Sequence, residues 1–425
     1  MNARERFLEV CNFNPHVRTL KWEFGYWGET IKNWYGQGLP QRYYPALPAE
    51  ITTPTSSLYI PAWTHRGDGV LPNGIAVFGG AAYWPTQGFP IDCDVRSHFG
   101  LDPTHRLVDV NLLFSPMFDV EVLEETDRLL KYTDIDGVKR IFLKEEATIP
   151  TGLEWPITGW ESWQRLKAER LNLKDLSARF PRNWPKLVEE YRNRDYPLAI
   201  GGYPQGFFGT LAHLLGYENM FLWYYEQPEL IHDILGTFTD LWIAVFEEVL
   251  AQVEVDDWQI WEDMSDKNGS MISPQMVREF MLPYMRRVVD FLKARGVRHF
   301  HLDTDGDCSK LIPLFREVGV TGMWPFEHTE GTDILKLREK YPDLVMSGGI
   351  AKAAVASGKA SIDQALLPIG AMLRHGGYIP HIDHFVPPNV SFDEFVWYRR
   401  RLNELIDRCG EVESHHLCIT KETQA

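Results

Sequence analysis

The feature that most constrains this chain is an alternation of short apolar segments with amphipathic ones over residues 195–407. The strand candidates are YPLAIGG (196–202), DDWQIWED (256–263), VRHFHLD (297–303), VTGMWPFE (320–327), LVMSGGI (344–350) and YIPHID (378–383). Helices with recognisable ends lie between them. Ser273-Pro274 supplies an N-cap and a proline in the first turn, Gly296 closes that helix, and Pro283 should kink it. Thr332 is placed to cap the helix before Tyr341-Pro342, and Ser391 with Glu394 reads as a capping box before the last helix. Strand, helix, strand at this spacing is the rhythm of a parallel sheet. Six such units favour a closed barrel. A doubly wound sheet would bring a glycine-rich phosphate loop after its first strand, and the sequence has no GxGxxG or P-loop. The fold expected is α/β, a (β/α)8 TIM barrel with an N-terminal antiparallel elaboration. All of 1–425 is read as one barrel domain, with 36–146 as its irregular, β-rich elaboration.

Within that elaboration, residues 36–115 are rich in Pro, Gly and aromatic residues, as in AAYWPTQGFP (81–90), and could cap the barrel mouth. Residues 107–146 alternate as strands do, with Asp136-Gly137 as the hairpin turn between LLKYTDI and VKRIFL. A net charge of −16 argues against nonspecific nucleic-acid binding and against an anionic membrane surface. The five cysteines (Cys11, Cys93, Cys308, Cys409, Cys418) are scattered and form no CxxC pair, so neither a disulfide framework nor a thiolate zinc knuckle is suggested. No apolar run reaches the length of a membrane span, and the expected location is cytoplasmic.

In a barrel the chemistry sits at the C-terminal ends of the strands. Those ends carry Tyr203 and Gln205, Trp261, Glu262 and Asp263, Asp303 and Asp305, Trp324, Glu327 and His328, Ser347, then His381, Asp383 and His384. In VRHFHLDTDGD, Phe300 and Leu302 share one strand face and His299, His301 and Asp303 the other, which turns His301 and Asp303 toward the barrel axis. Asp303 and Asp305 can chelate a metal, hold a cation or share a proton. The plainer alternatives are a turn and N-cap at Asp305-Gly306-Asp307, a loop role for His384, and capping or ion pairing for Glu262 and Asp263. His301 reads as a core histidine, Cys308 as a small buried residue, and Lys352 as either an anion ligand or a solvated lysine.

SPQMVREFMLPYMRRVVDFLKARGV, HLDTDGD, GGI and GGYIPHIDHFVPPNVSFDEF together resemble the uroporphyrinogen decarboxylase superfamily, which also holds corrinoid-dependent methyltransferases. The resemblance runs from about Arg192 to Ile406, with weaker echoes in RERFLEV and GFFGTLAHLLGYENM. It implies a (β/α)8 barrel with its site at the mouth, and often a homodimer. The decarboxylases' N-terminal arginine motif has no equivalent among Arg4, Arg6 and Arg18, which leaves a polycarboxylate substrate without counter-charge. The methyltransferases' His-x-Cys-Gly motif reads Asp303-Thr304-Asp305-Gly306 here, and their later cysteine aligns with His384, where decarboxylases have histidine.

The leading expectation is a corrinoid-linked methyltransferase that demethylates a small substrate. Asp303, Asp305 and His384 would be its catalytic residues and candidate ligands of a divalent metal, zinc foremost. Glu262, Asp263, Glu327, His328, His381, Trp261 and Trp324 would contact substrate, and a partner protein would carry the corrinoid. The rivals are a cofactor-free decarboxylase of a small acid, with His384 as proton donor, and a noncatalytic ligand- or corrinoid-binding barrel.

Overall fold

The structure is a computed structural model that describes residues 1–42, 82–83, 93–119, 121–143, 150–328 and 332–422. Most of the irregular stretch expected at 36–115 lies outside the described residues.

Seven parallel strands follow one another in chain order: β1 (Arg106–Leu107), β2 (Leu198–Gly201), β3 (Asp257–Trp261), β4 (His299–Asp303), β5 (Gly322–Phe326), β6 (Val345–Ile350) and β7 (Tyr378–Ile382). Each of the six expected strands is present, trimmed by one or two residues at its ends. The sheet curls round. A single cavity is lined by His105, beside β1, and by His381 of β7, at opposite edges of the strand order, with Gln259, His301, Trp324 and Ser347 from strands between them. A flat sheet could not bring its two edges to one cavity.

The expected barrel has eight strands and the sheet has seven. Between β7 and β1 runs the segment 19–27, which reaches both sides without forming a regular ladder. Thr19 Oγ1 donates to the Tyr378 carbonyl, the Ile382 N–H donates to the Glu23 carboxylate, and Tyr26 makes one isolated bridge with Val386. Toward β1, the Asp102 N–H donates to the Lys21 carbonyl and the Asp102 carboxylate accepts from the Lys21 N–H. A side-chain carboxylate stands where a strand would offer a backbone carbonyl, so ladder pairing cannot propagate. The segment is pinned instead by a buried ion pair: Glu23 Oε1 accepts from Arg399 at 2.6 Å and from the Tyr398 hydroxyl at 2.7 Å.

The helix ends follow local rules, with two differences. Asp333, not Thr332, caps helix Ile334–Lys340, because its carboxylate reaches the Leu335 and Lys336 N–H groups. The distortion expected at Pro283 falls just before it, as a wide turn over Val277–Met281 leading into helix Leu282–Ala294. The Ser391–Glu394 capping box is present.

The antiparallel elaboration is a four-stranded sheet of Glu121–Glu125, Leu129–Thr133, Lys139–Leu143 and Thr151–Glu154, with its tight turn at Asp136-Gly137. Arg140 fixes it to the barrel. Its guanidinium binds Asp134 and Asp136, and Asp136 also pairs with His213 of helix Phe207–Leu215 at 2.5 Å. No described helix is long and apolar enough to cross a membrane.

Removing the positive partner at the segment 19–27 should be costly. Arg399→Met leaves Glu23 buried and unpaired, and about 3–5 kcal/mol of stability should be lost in urea unfolding. The double variant Glu23→Gln/Arg399→Met should recover a large part of that loss.

Candidate active site at the barrel mouth

Register places the expected residues in layers. Trp261 of β3 pairs with Asp303 of β4, and Asp303 with Trp324 of β5; one layer below, Gln259 pairs with His301 and His301 with Gly322. Asp303, the last residue of β4, is buried, and no hydrogen bond to its carboxylate is found among the described residues. Burial pushes its pKa well above the ordinary carboxylate range, and the negative charges of Asp305 and Asp263 push it further. Asp263 follows β3 with φ +44°, a left-handed backbone that a non-glycine residue adopts at a cost. Its N–H and that of Glu262 both point at the Asp303 carbonyl, which ties the ends of the two strands together. Burial and Asp305 raise Asp263 to about 7, against the pull of His384. Asp305 in turn pairs with His384 Nε2 at 3.2 Å. The mouth thus gathers three carboxylates and one imidazole, and the carboxylates cannot all ionise cheaply at neutral pH.

The other expected residues divide. Both Glu262 oxygens accept from the N–H groups of Phe207, Phe208 and Gly209, so this buried side chain holds the start of helix Phe207–Leu215; burial raises it to about 7 against those bonds. Glu327 accepts from the Gly306 N–H and pairs with Lys352 at 2.5 Å, which braces the loop carrying Asp305. His328 is exposed, and its N–H donates to Asp383. Asp383 also takes the Lys352 N–H, so it joins two loops. Trp261 stands edge-on to Tyr203 at 4.5 Å at the mouth.

Trp324 and His381 line the interior cavity beneath. His381 Nδ1 faces the Ile382 carbonyl at 2.7 Å and must donate to it, so Nε2 accepts from the Ser347 hydroxyl at 2.7 Å. Burial lowers His381 to about 4, which keeps it neutral.

Two residues escaped the sequence reading. Phe24 stacks on His384 with ring centroids 5.0 Å apart, packs on Trp324 at 5.2 Å and lines the cavity, so it is the floor between mouth and interior. Tyr217 is partly exposed, and partial desolvation with the charges of Asp263 and Asp305 raises its hydroxyl to about 12. Nothing in the periodicity around either residue signals this. Phe24 reaches the site from far away in sequence, and Tyr217 opens an ordinary helix, Tyr217–Glu226.

Metal donors are placed differently from the expectation. Among the described residues, the donor atoms that converge to within 4.8 Å are those of His105, Asp257 and His301, in the interior. Asp303, Asp305 and His384 share the mouth without forming such a group. Cys308 is buried, and burial with the Asp307 charge pushes its thiol up to about 12, so it offers no thiolate.

The curled parallel α/β sheet agrees with what related sequences show. The uroporphyrinogen decarboxylase (URO-D) family model matches residues 186–401, just over half of the chain. The chain belongs to the uroporphyrinogen decarboxylase family. It is 25% identical over 200 residues to a uroporphyrinogen decarboxylase of Myxococcus xanthus, covering 46% of this chain and 53% of that one. Against the uroporphyrinogen decarboxylase of Gloeobacter violaceus it is 25% identical over 189 residues, 43% of this chain and 50% of the relative. A methylated-thiol–coenzyme M methyltransferase of Methanosarcina mazei is 28% identical over 134 residues, 31% of this chain and 35% of that one. The chain therefore spans about half the length of the curated decarboxylases it matches, or less. Members of this family are enzymes of both kinds, and the URO-D match covers β2 to β7 with every mouth carboxylate.

The mouth carries a stability test. Asp303 has a higher pKa folded than unfolded, so its contribution is fully present below the unfolded value near 4 and is lost as pH rises through the folded value. Asp303→Asn should therefore raise the melting midpoint at pH 8, and the gain should shrink as the pH is lowered toward 5. A gain independent of pH would show that charge is not its source.

Proposed function

We propose that this chain is a methyltransferase that demethylates a small neutral or cationic substrate at the barrel mouth, in partnership with a corrinoid protein. The observation that carries the reading is the carboxylate group Asp263, Asp303 and Asp305, in which burial and like charge push buried Asp303 well above the ordinary range and raise half-buried Asp263 to about 7. Cleaving a methyl–oxygen or methyl–nitrogen bond leaves the electron pair on the heteroatom, and a proton delivered there makes it a better leaving group. Asp303 would carry that proton. His384, paired with Asp305, would return one afterwards, and Trp261 and Tyr203 would wall the substrate. The corrinoid, held by its own protein, would supply the acceptor for the methyl group.

The mouth favours a proton over a zinc–thiolate centre for this assistance. Its ligand-type residues are hard carboxylates and an imidazole, and the nearby cysteine is a buried thiol. A divalent ion held by Asp303, Asp305 and His384 could polarise the same heteroatom, though these donors would first have to converge.

Decarboxylation is the second reading, supported by the names of the Myxococcus and Gloeobacter relatives and by the His384–Asp305 pair as a proton donor. Charge weighs against it. An incoming carboxylate would meet three others, and the basic side chains described there, Lys352 and His384, are already paired with Glu327 and Asp305.

Purified protein should consume chemically reduced free cobalamin, followed by the loss of its Co(I) absorbance, with at least one member of a panel of methoxylated aromatics and methylated amines. Asp303→Asn should slow that reaction by about 10²–10⁴-fold. If no methyl donor reacts, while a small carboxylic acid releases CO2 in a His384-dependent way, the chain is a decarboxylase.

A further inference from the structure

Beneath the Phe24 floor, three polar side chains meet inside an apolar shell. His105 precedes β1, Asp257 opens β3 and His301 sits at the centre of β4, so the cluster spans three strands with β2 lying between the first two. All three are buried, and Asp257 has no exposure at all. Neither the mouth chemistry nor the helix caps use them.

Their geometry makes one hydrogen bond, from His301 Nδ1 to Asp257, and leaves other polar atoms without one. Both imidazoles crowd the same oxygen: His301 Nδ1 lies 3.0 Å and His105 Nε2 3.3 Å from Asp257 Oδ2. Yet the His105 contact is misaligned for a hydrogen bond, and Asp257 Oδ1 and His301 Nε2 have no partner either. Buried carboxylates normally spread their donors over both oxygens. These two spacings are close to the roughly 3.3 Å that a tetrahedral ion with bonds near 2.0 Å sets between neighbouring ligands, and all three donor atoms lie within 4.8 Å of one another. The sequence also makes room for the ring. A Cβ at Gly322 would stand 2.2 Å from His301 Cδ2, so only glycine opposite lets the imidazole lie in this plane.

The surroundings suit a structural ion. Phe7 and Trp22 flank His105 at ring-centroid distances of 4.6 and 4.8 Å and close the site from outside. The cavity, about 40 Å³ in volume, has room for a water as fourth ligand.

We infer that His105, Asp257 and His301 bind one divalent transition ion of the zinc type in the barrel interior, separate from the mouth. Two imidazole nitrogens and one carboxylate oxygen form a borderline donor set that prefers Zn²⁺ or Co²⁺ to Mg²⁺ or Ca²⁺. The ion's role is to cross-link the strands. β1 is two residues long and, among the described residues, pairs only with β2, so a bond from His105 to β3 and β4 anchors the weakest edge of the sheet. Because Phe7 and Trp22 cover the site, exchange requires the N-terminal helix Ala3–Cys11 to open, and it should be slow.

The test uses the full chain. After purification and dialysis, elemental analysis should find about one zinc per chain, and a strong chelator should remove it over hours rather than seconds. Adding Co²⁺ to the stripped protein should give the intense visible bands of a four-coordinate site, and adding Zn²⁺ should raise its melting midpoint. His105→Gln and His301→Gln should lose at least nine-tenths of the bound metal. The triple variant Asp303→Asn/Asp305→Asn/His384→Gln should keep it, which separates this site from the mouth. If the histidine variants do not fold, the wild-type Co²⁺ spectrum and the triple variant decide. A chain that takes up neither ion, or whose metal disappears in the triple variant and persists in the histidine variants, overturns the inference.

Discussion

The Glu23–Arg399 contact organises the molecule. Both side chains are fully buried, so neither could remain there without the other. Arg399 belongs to the long last helix, which begins at Phe392, and Glu23 lies in the segment crossing between β7 and β1. Their pairing, with the bonds to Tyr398 and Ile382, fixes where that segment passes through the curled sheet. The next residue is Phe24. Its ring is thereby held against His384 on one side and the interior cavity on the other. Two chambers with different chemistry result, an acidic one above and a buried, imidazole-lined one below.

The upper chamber shows how a fold can set proton affinity with few means. Strand register brings Asp303 beside Trp261 and Trp324, two large apolar rings. The backbone of Asp263 bends into an unfavourable region so that the loop closes over the Asp303 carbonyl. Desolvation and like charge then act in the same direction on Asp303. By contrast Asp257, equally buried in the lower chamber, is drawn far below the usual range by two imidazoles in spite of its burial. Two aspartates in one barrel thus end at opposite extremes, according to which neighbours the register supplies.

Much of this could be read in the sequence. The strands announced themselves through apolar runs ending in acids and histidines, and the alternation in VRHFHLD gave the facing of Asp303 correctly. The Ser391–Glu394 box and the Asp136-Gly137 turn were local patterns with local causes. The misreadings concern distance. Glu262 seemed available to a substrate, but helix Phe207–Leu215, more than fifty residues earlier, takes both its oxygens. His301 read as core and is buried as expected, though its contacts with His105 and Asp257 come from other strands and were not foreseen. Phe24 carried no signal, since its importance comes from a segment that pairs with the sheet irregularly. At Thr332 and Asp333 two good capping residues stood side by side, and only backbone geometry chose between them.

The loop after β2 holds a lesson for anyone who aligns relatives of this chain. A Cβ at Gly206 would sit 1.7 Å from the Trp261 carbonyl oxygen, and one at Gly209 would sit 2.4 Å from it. The helix start captured by Glu262 is pressed against the end of β3 as closely as backbone allows. Glycines at these two positions would therefore persist through any change of reaction, for reasons of clearance alone. Invariance in this loop would look like a fingerprint of catalysis while recording only how tightly two pieces of main chain pass one another. Substrate preference would be written in the residues that line the rim, where side chains are free to vary.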